Sequence, residues 1–353
     1  MKSISVCLIV KDEEKVLARC LDCVKQFADQ IVVVDTGSND NSFNIAKQYT
    51  SDVYYFKWVD DFALARNFSF SKATCDYVMW LDADDVIDAE NISKILDLKN
   101  NMLADCYMLK YNVGFRGDVV THSFYRERIL KNNLGFKWVG CVHECITPQG
   151  KIEYLDIAVN HKKLEVKDAD RNLNIYINKL KHGELNPREL YYYARELYYH
   201  SKYEECIINM QKFLDKGGFV ENMIDGLIII SDCYLIQQNN KLALFHLYKT
   251  FDYDTPRANV CCKIGDLFYY ENKYNQAIYW YKLATTCQLS DKKGGFVENE
   301  CYNYYPYLQL CVCYHKIGDN ITANDYNELA GQYQPNDEVV VSNRKYFKKI
   351  LNL

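Results

Sequence analysis

The sequence predicts an α/β domain on a mostly parallel sheet, followed by an all-α domain of helical repeats. Over the first hundred residues, short β-rich apolar runs alternate with stretches of helical periodicity. From about Asp168 the chain changes to long Tyr- and Leu-rich amphipathic segments, and these recur at a near-regular spacing. At 353 residues the chain also exceeds the ~250–300 at which one hydrophobic core stops growing, so two domains are expected.

Ser3 to Val10, Ile31 to Val34, Val53 to Phe56 and Tyr77 to Leu81 are continuous apolar runs. Parallel strands buried on both faces require such runs. Between the first two, Val16, Leu17, Cys20, Leu21, Val24 and Phe27 form one helical stripe. A second helix is predicted after Ser38-Asn39-Asp40, and a third after Asp60-Asp61, where either Asp suits an N-cap. The order βαβαβαβ gives a twisted parallel sheet, which binds ligands at the carboxyl ends of its strands.

Asp35 directly follows the strand IVVV, and in the acid-rich stretch WLDADD Asp82 and Asp84 directly follow the strand YVMWL. Carboxylates from both strand ends therefore project into one crevice. An Asp-x-Asp at a strand end suits a hard divalent cation. An EF-hand is excluded, because Val86 and Ile87 stand where that loop needs Asp or Asn and then Gly. The remaining use is to hold Mg²⁺ or Mn²⁺ against a substrate diphosphate.

In the second half, SKYEECI (201–207), NNKLALF (239–245), NKYNQAI (272–278) and GDNITAN (318–324) align with Cys206, Ala243, Ala277 and Ala323 at equivalent small positions. A unit of about 34 residues with a small residue in each helix pair matches tetratricopeptide repeats. GGFVEN, at 217–222 and 294–299, reads as an equivalent inter-repeat loop. The predicted organisation is an α/β domain over 1–167, a helical linker over 168–186, repeats over 187–336 and a capping helix over 337–353 whose Lys and Arg face water.

A net charge of −5 gives no general electrostatic reason to bind nucleic acid. No apolar run reaches the ~18 residues of a transmembrane helix, and MKSISVCLIV lacks a secretory pattern, so a cytoplasmic protein is expected. The fifteen cysteines are odd in number and several fall on apolar faces, which favours reduced core thiols. Cys20-Leu-Asp-Cys23 has CxxC spacing but sits mid-helix without a second pair.

Val10-Lys11-Asp12-Glu13, Asp35-Thr36-Gly37-Ser38, Phe62-Ala63 through Arg66-Asn67, and Asp82-Ala83-Asp84 occur in the order and spacing of one family. The N-terminal half resembles family 2 inverting glycosyltransferases, and the resemblance implies the GT-A nucleotide-diphospho-sugar transferase fold. It implies that Ile9, Val10, Lys11 and Glu13 line the nucleotide pocket with Ser38, and that Asp35 accepts from the base imide N–H. Arg66 and Asn67 would face the donor phosphates or base, and Asp82 with Ala83 the ribose or metal. Asp84 would ligate the metal. Many relatives have two acids where this chain has Asp35-Thr36.

WVGCVHECI (138–146) and IAVNHKK (157–163) resemble a subgroup carrying helical repeats. It includes bacterial enzymes that glycosylate Cys or Ser of peptides in glycosylated-bacteriocin biosynthesis. Many family members supply a base from a Glu-Asp pair; here His143-Glu144 stands instead. Glu144 is expected as the base and His143 as a positioning group, with His161 a further metal ligand.

The expected activity is thus metal-dependent inverting transfer from a nucleotide-sugar, UDP-sugar foremost, to a peptide or protein side chain. A homodimer through the repeats is a further expectation. Transfer to a cell-surface glycan or small molecule is one alternative, and a repeat scaffold with an inactive transferase domain another. A sugar nucleotidyltransferase would show a Gly-rich loop with Arg and Lys near the N-terminus, where this chain reads VKDEE.

Overall fold

The computed structural model describes residues 1–117, 119–164, 168–288 and 298–352. Most of the second GGFVEN copy and the expected boundary at 167 lie outside the described residues. The chain forms two compact units, Met1–Tyr192 and Tyr193–Leu353.

The first unit is built on β1 (Ile4–Val10), β2 (Gln30–Asp35), β3 (Val53–Tyr55) and β4 (Tyr77–Leu81), with α1 (Leu17–Val24), α2 (Ser42–Tyr49) and α3 (Phe62–Phe70) between them. β1 pairs in parallel with β2 and β4, and β2 with β3. Every residue of β4 is buried, as its continuous apolar run requires. α1 lays Leu17, Cys20, Leu21 and Val24 on the core, as its stripe predicts. Of the two Asp before α3, Asp61 is the cap, accepting from Leu64 N at 2.9 Å. Asp60 instead adopts φ +56° and accepts from Trp58 Nε1.

The sheet then continues through β5 (Asp85–Val86), β6 (Cys106–Arg116), β7 (Val119–Lys131) and β10 (Ile152–His161), with α4 (Ala89–Leu98) after β5. Its order is β3-β2-β1-β4-β7-β6-β10-β5. β7 runs antiparallel to both β4 and β6, so it reverses the direction at mid-sheet. The short β8 (Trp138–Val139) and β9 (Cys145–Ile146) form a separate ribbon. α5 (Arg171–Leu180), in the stretch suggested as a linker, and the first half of α6 (Pro187–Tyr199), in the stretch suggested as the start of the repeats, fall in this unit.

The second unit contains α7 (Tyr203–Lys216), α8 (Val220–Ile236), α9 (Asn240–Lys249), α10 (Ala258–Tyr270), α11 (Tyr274–Thr286), α12 (Tyr304–Lys316), α13 (Asn320–Tyr333) and α14 (Glu338–Leu351). The four aligned segments all start the second helix of a pair. Each of these second helices is preceded by a left-handed residue, Ser201, Gln238, Asn272 or Gly318. Each closes with the same turn, Lys202 N to Leu197 O, Asn239 N to Tyr234 O, Lys273 N to Phe268 O and Asp319 N to Tyr314 O. Cys206, Ala243, Ala277 and Ala323 are fully buried, so a larger side chain there would force the pair apart. α14 caps the array with Lys345, Lys348 and Lys349 exposed.

All fifteen cysteines are free thiols. Cys20 is buried with its Sγ donating to Asp82 O, and Cys23 Sγ donates to Arg19 O on α1. No described helix is long and apolar enough to cross a membrane.

Candidate active site

A cavity of about 440 Å³ opens at the carboxyl ends of β1 and β4. Ile9, Val10, Lys11 and Glu13 line it from the first strand end, and Asp82, Ala83 and Asp84 from the second. Arg66 of α3, His143 and Glu144 after β8, and His161 at the end of β10 complete the wall. Residues far apart in sequence thus converge where the parallel-sheet rule places a ligand.

Three expected donor residues do not line it. Asp35 sits just behind, its Oδ1 accepting from Gly37 N at 2.8 Å and Ser38 N at 2.9 Å. Its Oδ2 is buried with no partner. Ser38 Oγ accepts from Asp12 N, so it braces the loop after β1. Asn67 lies off the cavity: its amide donates to Trp138 O at 3.0 Å and accepts from Trp138 N at 2.9 Å. Both ends of that side chain thus help to clamp β8.

Arg66 is the hub of the wall. Its Nη2 donates to Asp82 Oδ1 at 2.7 Å and its Nε to Glu144 Oε1 at 2.5 Å. The guanidinium lies 5.1 Å from the Trp80 ring and 4.9 Å from that of Trp138, which hold it in place. Burial would raise the Asp82 pKa, but the adjacent Arg66 and Arg128 charges outweigh it and bring it to about 2. Asp82, which the sequence reading offered to the ribose or a metal, thus pairs with Arg66 through Oδ1 while still lining the cavity.

The group that could meet an ion joins the expected Asp84 and His161 with Asp85. Asp84, Asp85 and His161 present ligand atoms within 4.8 Å of one another. Asp84 and His161 line the cavity, whereas Asp85 is fully buried behind them. Asp85 Oδ2 accepts from Arg128 Nη1 and Asp82 N, and Oδ1 from Tyr111 Oη at 3.1 Å. His161 Nδ1 lies 3.3 Å from Asp84 and 3.2 Å from Asp85. Burial alone would lower the imidazole pKa, but the hydrogen bonds to Asp84 and Asp85 raise it to about 10. An oxygen-and-imidazole set of this kind fits Mn²⁺ or Mg²⁺.

Asp85, Arg128 and Tyr111 escaped the sequence reading as site residues. Asp85 stood in view as the third acid of WLDADD; Arg128 and Tyr111 lie on β7 and β6, in the part of the sheet that the apolar runs did not predict. Arg128 is fully buried, its guanidinium 3.6 Å from the Trp80 ring and 4.2 Å from that of Tyr111. It supplies the positive charge beneath the acidic turn.

His143 is exposed, with φ +51°, and its ring stacks on Tyr192 with centroids 4.3 Å apart. Glu144, the next residue, keeps only 11% of its side chain exposed.

Residues 5–148 match the model of "Glycosyl transferase family 2". The chain is 29% identical over 259 residues to the SPbeta prophage-derived glycosyltransferase SunS of Bacillus subtilis, covering 68% of this chain and 60% of that protein. It is 41% identical over 90 residues to a TPR repeat-containing protein of Synechococcus elongatus, covering 26% of this chain and 22% of the relative. An S. aureus TarS 1-349 structure in complex with UDP-GlcNAc has a TM-score of 0.44 and 14% identity, covering 70% of this chain and 91% of that one. That last likeness is too slight to carry an argument.

Proposed function

We propose that this chain, whose first domain belongs to glycosyl transferase family 2, moves a sugar from a UDP-sugar to a peptide or protein side chain with inversion at the anomeric carbon. The observation that carries the proposal is the convergence on one cavity of Arg66, Asp82, Asp84, Glu144 and His161, from four separate stretches of chain. The buried, unpartnered Oδ2 of Asp35 supports a donor with a base N–H to offer. Arg66 spends Nε and Nη2 on Glu144 and Asp82, and Nη1 remains for a donor phosphate.

Asp84 and His161 would hold Mn²⁺ or Mg²⁺, which when bound offsets the charge that grows on the leaving diphosphate. Asp85 orients His161, and Arg128 keeps Asp85 compensated. Glu144 takes the proton of the acceptor as its heteroatom attacks the anomeric carbon from the face opposite the diphosphate. The bond from that carbon to the diphosphate breaks, and inversion follows from this single displacement.

The attached repeats support a peptide acceptor, since stacked repeats offer an extended concave surface. The free thiols favour a reducing, cytoplasmic location. The test is incubation with a panel of nucleotide-sugars and Mn²⁺, scoring nucleotide release. Release from a UDP-sugar supports the proposal; release from none, with no nucleotide binding, overturns it.

A further inference from the structure

The segment Val142–Glu144 is held from two sides. From the α/β side, Arg66 grips Glu144 Oε1. The opposite grip comes from α5 and the first half of α6, which lie beyond the residues the family model matches. Tyr176 Oη donates to Val142 O at 3.2 Å, and Arg188 Nη2 donates to His143 O at 3.0 Å. The ring of Tyr192 lies nearly parallel to His143, at 15°. Arg188 also donates to Tyr192 Oη at 3.3 Å, and its guanidinium is 4.9 Å from that ring. Tyr191, fully buried, packs edge-on against Tyr192 at 4.8 Å.

His143 has a left-handed backbone, which a non-glycine residue keeps only where its surroundings over-determine it. The successive carbonyls of Val142 and His143 are both fixed by side chains from these helices, and the imidazole is fixed by the stack. The direction in which the chain leaves His143 sets where the Glu144 carboxylate points. A base displaced by ~1 Å can cost up to about 10²-fold in rate, so this grip bears on catalysis.

We infer that Tyr176, Arg188 and Tyr192 are positioning residues that aim the Glu144 base, so that the start of the repeat-side helices completes the transferase site. This inference rests on Glu144 acting as the base. It also dictates where the domains can be separated: a cut after Asn186 removes Arg188 and Tyr192, and a truncation probing the repeats alone must fall after α6.

The test uses the full chain with UDP-sugar turnover in Mn²⁺ and UDP affinity by calorimetry. Tyr192→Ala lowers kcat by about tenfold or more while UDP affinity stays within about twofold, because no donor contact is touched. Tyr192→Phe restores the stack without the hydroxyl and regains most of the rate. Arg188→Ala lowers kcat in the same sense as Tyr192→Ala. A Tyr192→Ala enzyme with wild-type kcat overturns the inference, as does a loss of UDP affinity in step with the loss of rate. A wild-type chain that neither binds UDP nor turns over any UDP-sugar overturns the reading of the site and this inference with it.

Discussion

Glu144→Gln separates chemistry from binding at this site. The Glu144 carboxylate and the Arg66 guanidinium are both about nine-tenths buried and meet at 2.5 Å through Oε1 and Nε. Glutamine presents an amide oxygen at the same place, so the hydrogen bond from Arg66 persists and Arg66 keeps its 2.7 Å pair with Asp82. Removing the whole side chain would be a poorer test, because half of a buried charge network would be left unpaired. With the frame preserved, the loss is confined to proton transfer, worth ~10²–10⁴ in rate. That corresponds to about 3–5 kcal/mol on the barrier. The assay is kcat for UDP-sugar turnover in Mn²⁺, with donor affinity measured in parallel by calorimetry. The expected result is a fall in kcat of that size with donor affinity nearly constant; a thiol acceptor would soften it, being already partly ionised near neutral pH. If donor affinity collapses instead, Glu144 serves to orient Arg66 on the donor, and the base assignment is refuted.

Asp84→Asn should retain the fold yet abolish metal-dependent turnover, and EDTA should do the same to the wild type; undiminished turnover in either case removes the metal assignment. In the metal-free protein, the His161 proton is a source of stability, since its folded-state pKa of about 10 lies above the ordinary 6.5. That contribution is complete below about pH 6.5 and lost as pH rises toward 10, so His161→Gln should flatten this part of a Tm-against-pH curve. In the repeats, Gly265→Ala should destabilise, although Gly→Ala within a helix ordinarily stabilises by about 1 kcal/mol. A Cβ there would stand 2.6 Å from Tyr281 Cε1, so a raised thermal midpoint would contradict the close helix crossing.

The parallel half of the sheet and the repeats were legible because their periodicities are strong. β4 is a fully apolar run and β1 and β2 have apolar centres, and the small buried residues at Cys206, Ala243, Ala277 and Ala323 mark helix crossings. β6 and β7 were not read as strands, because they mix aromatic and charged residues and include bulges after Tyr107 and Asn112. Arg128 therefore gave no sign that it would be fully buried under the acidic turn. The strand-end acids were legible from position alone, but their partners were not. Local spacing cannot show that Asp82 belongs to Arg66 while the buried Asp85 backs His161. The family resemblance grouped Asn67 with Arg66, but nothing in the local sequence showed that its amide would pair with the backbone of Trp138. The brace on His143 was equally hidden, since it joins residues more than forty positions apart.

The central claim is an inverting displacement at the anomeric carbon within the cavity built by Arg66, Asp84, Glu144 and His161. The most direct measurement is proton NMR of the anomeric centre in the first product formed from an α-linked UDP-sugar in Mn²⁺, read before mutarotation or with a trapping acceptor. The account predicts a β-configured product whose formation is lost in Asp84→Asn and Glu144→Gln. An α-configured product, or a β product formed equally well by both variants, would contradict it.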